Sequence, residues 1–216
     1  ARDAYVASHA KMWHEEEKRT KKDIELHNMA IEWQRARKNK KAQAAVKSKE
    51  SLAKENIGLV LAENEGVFSI NEVMPGSGAD KAGIQKGDFL VGIWGRLIRY
   101  SKLEDVLNEL IGPKYSEVKI IVEKAITVSM ETGSDAYKEL GISLGFEYEG
   151  LVIKDIASGK KGELSGLKKG DFIIAIDKNI TRYLPMDSVI ALLNNPKNNN
   201  IVFTIRRGIN LRREGE

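Results

Sequence analysis

The feature that most constrains the fold of this chain is an internal repeat, in which one long segment of the sequence occurs twice. The sequence AGIQKGDFLVGI, which begins at Ala82, returns as SGLKKGDFIIAI, which begins at Ser165. The same offset relates Arg99-Tyr100 to Arg182-Tyr183. Self-similarity over this length indicates two copies of one small domain instead of a single large core.

Each copy has the same predicted order of elements: strand, turn, strand, short helix, Gly-Asp turn, strand, helix and strand. In the first copy, 67–73 and 89–93 are β runs, and 103–111 has apolar residues at helical spacing. The β runs return at 151–156 and 172–176. This order predicts an α+β fold, mainly β, in which each copy is a partly open β-barrel capped by two helices.

The chain before the two copies has a different composition. All 19 glycines and all 4 prolines follow residue 57, and residues 1–55 are rich in helix-forming Ala, Glu, Lys, Arg and Gln. A long α-helical arm is therefore expected to precede the copies. The predicted boundaries are an arm at 1–54, a first domain at 55–124, a linker at 125–138, a second domain at 139–208 and a tail at 209–216.

The arm is expected to dock on a partner, because it cannot bury much apolar surface against itself. Leu26, Met29, Ala30 and Trp33 share one helix face, whereas His14 to Asp23 is entirely polar and interrupts any coiled-coil seam. The residues expected to make the docking contacts are Tyr5, Trp13, Met29, Trp33, Arg35 and Arg37.

The basic excess of the chain lies in the arm. The chain has 35 basic and 31 acidic residues, and residues 1–55 hold 14 Lys/Arg against 9 Asp/Glu. Seven basic residues and no acidic one lie between residues 33 and 49. This stretch favours an acidic protein surface as partner. Contact of residues 35–49 with an anionic surface is the alternative, and nucleic acid is disfavoured because Trp33 is the only interleaved aromatic residue.

The stretch from Ser77 to Asp88, SGADKAGIQKGD, resembles the PDZ domain family. Its pattern is small-x-Ala-x-x-Ala-Gly-apolar-x-x-Gly-Asp, and an apolar-Gly-apolar opening precedes it at Ile57 to Leu59. The second copy has Gly162 and Ser165 in place of the two alanines, so the positions stay small. The resemblance occurs twice, covers about three quarters of the chain and does not include the arm. It implies a tandem PDZ-domain protein.

The resemblance implies a peptide groove in each copy. A PDZ domain binds an extended peptide, usually a free C-terminus, as an added strand between its second strand and second helix. The terminal carboxylate lies in a nest of backbone N–H groups in the apolar-Gly-apolar loop. The implied contacts in domain 2 are Leu140, Gly141, Ile142, Ser143, Leu144, Pro185, Val189 and Leu192. Those in domain 1, which we expect to bind more weakly, are Ile57, Gly58, Leu59, Val60, Leu61, Lys102 and Val106.

The two implied grooves differ in charge. Glu109 of the first copy corresponds to Leu192 of the second, and a carboxylate there would repel a peptide terminus. Lys54 and Lys138 precede the two loops, either as carboxylate partners or as ordinary surface charges. We expect the second groove to prefer an apolar C-terminus, and the first to be degenerate or to hold an internal segment.

The sequence contains no recognisable catalytic or metal site. There is no cysteine, no Gly-x-Ser-x-Gly elbow, and the three histidines (His9, His14 and His27) all lie in the arm without metal-ligand spacing. We therefore expect no enzyme activity, no metal and no cofactor. No apolar run is long enough to cross a bilayer, so no transmembrane span is predicted.

These patterns predict a non-catalytic interaction scaffold that binds peptides by strand addition and docks through its arm to a larger assembly. Two alternatives stay open: a structural subunit of an organellar membrane-associated complex, and the regulatory part of an envelope protease whose catalytic domain is absent. The chain begins at Ala1, from which we expect a processed chain or a fragment. The stretch 57–88 resembles PDZ modules of algal plastid proteins and of bacterial envelope proteins, and we favour a plastid location over the envelope.

Overall fold

The computed structural model describes residues 2–131, 135–195 and 199–214. The helices are α1 (Arg2–Asn56), α2 (Gly78–Lys81), α3 (Leu103–Leu110), α4 (Ala136–Leu140), α5 (Lys161–Leu164) and α6 (Met186–Leu193). The strands are β1 (Leu59–Asn64), β2 (Val67–Val73), β3 (Phe89–Ile93), β4 (Arg96–Leu97), β5 (Glu117–Ser129), β6 (Ile142–Glu147), β7 (Gly150–Ile156), β8 (Phe172–Ile176), β9 (Asn179–Ile180) and β10 (Asn200–Arg212).

The predicted α-helical arm is confirmed as α1, which continues from Arg2 to Asn56 without interruption because it contains neither Gly nor Pro. The chain divides into two units, Ala1–Ser48 and Lys49–Glu216, so the last two turns of α1 belong to the second unit. The side chains of Leu26, Met29 and Trp33 are exposed along the helix. The predicted contacts of Tyr5 and Trp13 lie outside the described side chains.

The second unit contains one open, ten-stranded sheet, in agreement with the predicted α+β fold. Its strand order is β1-β2-β3-β5-β10-β8-β7-β6, with β4 attached to β3 and β9 attached to β8. All the paired strands are antiparallel. The two outermost strands, β1 and β6, are the strands that follow the apolar-Gly-apolar loops. The sheet therefore carries the two implied peptide-binding strands at its opposite edges.

The centre of the sheet is the ladder between β5 and β10, which pairs the two strands along their whole length. It runs from Glu117 opposite Arg212 to Ser129 opposite Asn200. Because β10 is the repeat counterpart of β5, the ladder has an approximate two-fold axis. On that axis Glu123 pairs with its own repeat counterpart, Arg206. The Arg206 guanidinium donates to Glu123 Oε1 at 2.6 Å from Nη2 and 3.0 Å from Nε.

Each long strand serves both repeats, named here the first (55–124) and the second (139–208). A buried cluster of the second repeat includes Ile126, Val128 and Met130 from the distal half of β5 and the residue after it, together with Ile201, Phe203 and Ile205 from the proximal half of β10. The distal half of β10 returns to the first repeat, where the fully buried Leu211 lies opposite Val118.

The expected linker and tail therefore contain ordered structure. Residues 125–129, predicted as linker, are the second half of β5, and residues 136–140 form α4. Residues 209–212, predicted as tail, are the end of β10. The physical reason is the alternation of buried and outward residues along both strands, which continues beyond the boundaries that the repeat alone suggests.

Arg213 and Glu214, the last described residues, form hydrogen bonds that connect the end of β10 to the first repeat. The Arg213 guanidinium donates to the Leu110 carbonyl at the end of α3 at 2.9 Å, to the Glu109 carbonyl at 3.0 Å and to the Glu117 carbonyl at 2.9 Å. The backbone N–H of Glu214 donates to the Asn56 carbonyl at 2.6 Å. Burial of the Arg213 guanidinium lowers its pKa, yet each of its three nitrogens donates to one of these carbonyls.

The repeated Gly-Asp turn has the same structural role in both repeats. Asp88 accepts from the Gln85 N–H at 2.9 Å and lies 3.5 Å from Lys124 Nζ. In the second repeat Asp171 accepts from the Lys168 N–H at 2.8 Å and binds Arg207 at 2.6 Å. These aspartates are buried, and each joins its turn to one of the two central strands.

We predict that Leu211→Ala lowers the free energy of unfolding by about 2–5 kcal/mol, because it removes a fully buried side chain from the first repeat. Asn210→Ala, at the neighbouring exposed position, should change it by less than about 0.5 kcal/mol. Urea unfolding of both full-length variants measures the difference. Equal stability of the two variants would show that β10 does not complete the first repeat.

Candidate functional site

The two edge strands are the candidate sites for an added strand. Within the described residues, β6 pairs with β7 alone and β1 with β2 alone. A strand that pairs on one side offers a row of backbone N–H and C=O groups on its other side. The structure therefore has two edges on which an extended peptide can form backbone hydrogen bonds.

The loop before β6 is the C-terminal end of a short helix. Gly141 follows α4 with φ of 65° and ψ of 29°, the left-handed conformation that glycine adopts without steric cost. Leu140 and Ile142, on either side, are buried in the second repeat. Ser143 is exposed and Leu144 is partly buried. Five predicted contact residues thus lie on one continuous segment at the edge of the sheet.

The predicted contacts on α6 lie in different environments. Pro185 is the exposed N-cap of the helix. Val189 is 0% exposed and belongs to the core of the second repeat. Leu192 is partly buried and lines a cleft of about 520 Å³ whose wall includes Asn179 and Ile180 of β9. Val189 is thus part of the core and not an exposed groove residue.

The first loop differs from the nest that the family implies. The N–H groups of Ile57 and Gly58 both donate to the Ala53 carbonyl of α1, at 3.0 and 3.3 Å. They are engaged in terminating the helix, which the sequence alone could not show. Leu59 and Leu61 are buried in the first repeat, while Val60 is partly buried.

Helix α3 of the first repeat is also engaged in internal contacts. Lys102 is the exposed N-cap of α3, and Val106 is 1% exposed, in the same position as Val189 of the second repeat. Glu109 forms an ion pair with Arg96 of β4. The negative charge that the sequence placed in the first groove is therefore balanced by a cation of the same repeat.

The lysines that precede the two loops, Lys54 and Lys138, have different surroundings. Lys54 Nζ lies 3.2 Å from Glu72, so its charge is paired. Lys138 is exposed on α4. Lys160 is a residue near the second loop that the sequence patterns did not indicate. Its aliphatic stem lies over Gly141: a Cβ added at Gly141 would be 2.5 Å from Lys160 Cβ and closer still to Cγ. The sequence gives little indication of this contact, because Lys160 is far along the chain from the loop that it covers.

The neighbouring Lys161 has a separate role. Its Nζ lies 2.7 Å from Glu139 and 3.3 Å from Glu131. The hydrogen bond with Glu139 raises the pKa of Lys161 above its ordinary value. Lys161 thus joins α5 to α4, whereas Lys160 is exposed above the loop.

Comparison with known proteins gives one family match. Residues 69–124 match the PDZ domain family, from β2 to the middle of β5. Residues 69–124 thus have the sequence of a PDZ domain. The match supports a role in protein interaction, and it lies entirely within the first repeat.

Two curated relatives are bacterial proteases. A periplasmic serine endoprotease DegP of Salmonella typhimurium is 29% identical over 127 residues, which are 52% of this chain and 26% of the relative. A probable periplasmic serine endoprotease of the same kind from Chlamydia trachomatis is 21% identical over 161 residues, 64% of this chain and 32% of the relative. The chain thus spans between about a quarter and a third of the length of these relatives.

Solved structures with local similarity are PDZ domains. The PDZ45 tandem of INAD, solved with an NG2 peptide, is 20% identical, covers 76% of this chain and 88% of its own, and has a TM-score of 0.34. The PDZ domain of a carboxy-terminal protease of Vibrio cholerae, solved with a peptide, is 30% identical, covers 32% of this chain and 76% of its own, and has a TM-score of 0.29.

Among residues 2–131, 135–195 and 199–214, no three His, Asp or Glu side chains converge as metal ligands do. No helix in the same part of the chain has the length and apolar character that crossing a bilayer requires.

We predict that Gly141→Ala destabilises the protein more than Gly170→Ala. Both glycines have positive φ, which costs an L-residue about 1–2 kcal/mol, but only Gly141 has Lys160 in the space that a Cβ would occupy. Chemical denaturation of the two variants measures the excess. If both substitutions cost the same, Lys160 does not cover the loop as described.

Proposed function

We propose that this chain is a non-catalytic scaffold with two PDZ domains, which binds extended peptide segments by strand addition at β6 and docks through α1 to a larger protein assembly. The observation that carries the proposal is the open edge of β6, in the counterpart of a repeat that matches the PDZ family, with Ile142 of that strand in the same buried cluster as Val189 of α6. The repeat in sequence supports extension of the family to residues 139–208.

The chemistry of β6 supports a preference for apolar peptides. Ile142 and Leu144 lie on the strand, and Met186 and Leu192 are partly buried apolar residues of α6 that pack on the second core. An added strand would gain backbone hydrogen bonds along β6 and contact with these side chains. A peptide that ends in Val, Leu or Ile satisfies both requirements.

The first repeat has a different proposed role. The N–H groups of Ile57 and Gly58 are bonded to α1, and Glu109 is bonded to Arg96, so neither a free carboxylate nest nor an apolar pocket is supported there. The open edge of β1 remains. We propose that β1 binds internal extended segments, with weaker affinity than β6.

The arm is the proposed anchor to the assembly. Trp33 is 63% exposed and its ring lies 5.4 Å from the Arg37 guanidinium, in a cation–π arrangement. Ala36, Lys40, Lys41 and Ala44 continue this surface along the helix. An aromatic residue beside a row of cations fits an acidic protein surface that has an apolar pocket.

Two other functions have support from particular observations. The first repeat exposes Phe89 and Leu97 beside a cleft of about 390 Å³, which would suit a structural subunit that uses this face for packing. Similarity to DegP proteases supports a regulatory part of an envelope protease. Detection of a protease domain in a longer form of the protein would favour the second of these.

Strand addition can be tested by modification of the peptide instead of the protein. A short labelled peptide that ends in Leu should bind the full chain, and N-methylation at alternate residues should weaken binding, since each methyl removes a donor from the ladder. N-methylation of the intervening residues, whose N–H groups point away from β6, is the matched control. Equal loss from both sets of peptides would exclude strand addition.

We predict that Trp33→Ala reduces co-purification of the full chain with its native assembly by about tenfold or more, because a buried Trp at an interface commonly contributes over about 2 kcal/mol. Trp94→Ala, which removes a similarly exposed tryptophan outside the arm, should retain the assembly. Quantification of the recovered assembly compares the two. Retention in both variants would mean that the arm is not the anchor.

A further inference from the structure

The residue that covers each apolar-Gly-apolar loop differs between the repeats. Ser77 lies over Gly58, and its repeat counterpart Lys160 lies over Gly141. The backbone around the two residues is the same: the Met74 N–H donates to the Gly58 carbonyl and the Ala157 N–H to the Gly141 carbonyl, each at 2.8 Å. The two loops thus share this backbone hydrogen bond and differ in the side chain that lies above them.

The lysine does not replace the structural role of the serine. Ser77 is the N-cap of α2, and its hydroxyl accepts from the Asp80 N–H at 3.2 Å. Lys160 is the N-cap of α5 and makes no side-chain capping hydrogen bond. Replacement of a serine cap by a residue that cannot cap weakens a helix. Capping thus gives no reason for a lysine at this position.

The charges around the two loops also differ, and the second loop is the more positive of the two. At the first loop, Lys54 is paired with Glu72 and Ser77 is neutral. At the second loop, Lys161 is paired with Glu139, while Lys138 and Lys160 are exposed and have no ion pair within the described residues. Within the part of the chain that the structure describes, the second loop thus has two exposed lysines without an ion pair, whereas Lys54, the lysine that precedes the first loop, is paired.

We infer that Lys160 is a specificity-determining residue of the second groove: with Lys138, it binds the terminal carboxylate of a peptide that lies on β6. The inference rests on the proposed strand addition at β6. The ammonium group, three bonds beyond the Cγ that overlies Gly141, reaches an anion at the loop while the peptide backbone pairs with the strand. The first groove, with Ser77 at this position, does not distinguish a free C-terminus from an internal segment.

The test compares a short labelled peptide that ends in Leu as its free acid and as its C-terminal amide. The wild-type chain should bind the acid about fivefold more tightly at low salt, as an exposed charge pair allows, and the preference should shrink as salt is added. Lys160→Ser, which installs the residue of the first repeat, should remove most of this preference and leave the affinity for the amide unchanged. Lys160→Arg should retain the preference.

Lys168→Ser is the matched control, since it removes an exposed lysine of the same repeat away from the loop. It should behave as the wild type. An unchanged acid-to-amide ratio in Lys160→Ser overturns the inference, as does equal binding of both peptides by the wild type, although strand addition then stands. If neither peptide binds the wild-type chain, the proposed function fails as well.

Discussion

The antiparallel ladder between β5 and β10 is the interaction on which the rest of the second unit depends. Because it pairs both strands from end to end, it gives each repeat half of two strands, and neither repeat is closed by its own segment alone. The axis of the ladder passes between Glu123 and Arg206, which are equivalent positions of the two repeats. If the repeats were identical in sequence, the same side chain would face itself at this point. A carboxylate and a guanidinium occupy these positions, and they form an ion pair at the centre of the sheet.

The ladder also connects the two candidate grooves. Arg213 follows β10 and donates to the last carbonyls of α3, the helix of the first repeat that carries Glu109. Met130 is the counterpart of Arg213 in the second repeat, and it is buried in an apolar cluster without such bonds. In the first repeat this position therefore contributes hydrogen bonds to α3, whereas in the second repeat it contributes apolar packing.

The two repeats have similar backbones but differ in several side chains at equivalent positions. The pairs Asp88–Lys124 and Asp171–Arg207 retain an ion pair at the same place with a different base. The exchanges of Glu109 for Leu192 and of Ser77 for Lys160 alter the surfaces beside the edge strands instead. The retained pair supports the fold, and the altered positions give the two edges unlike ligand preferences in the proposed function.

Much of this structure could be predicted from the sequence, because local patterns determine it. The internal repeat, the helical arm and the strands around the Gly-Asp turns all follow from spacing and composition. The contribution of β5 and β10 to both repeats could not be predicted in the same way. The alternation of Ile126, Val128 and Met130 indicates a strand, but a pattern within one segment does not specify which distant segment pairs with it. The hydrogen bonds of Ile57 and Gly58 to Ala53 likewise depend on tertiary geometry.

Amide hydrogen exchange of the full chain, with and without a saturating peptide that ends in Leu, is the direct test of strand addition at β6. The peptide should slow exchange in β6 (Ile142–Glu147) and leave β1 (Leu59–Asn64) unchanged, because the loop before β6 has exposed lysines without an ion pair, whereas the N–H groups of the loop before β1 are bonded to the Ala53 carbonyl. Slower exchange in β1 without a change in β6, or in neither strand while the peptide is bound, would contradict it.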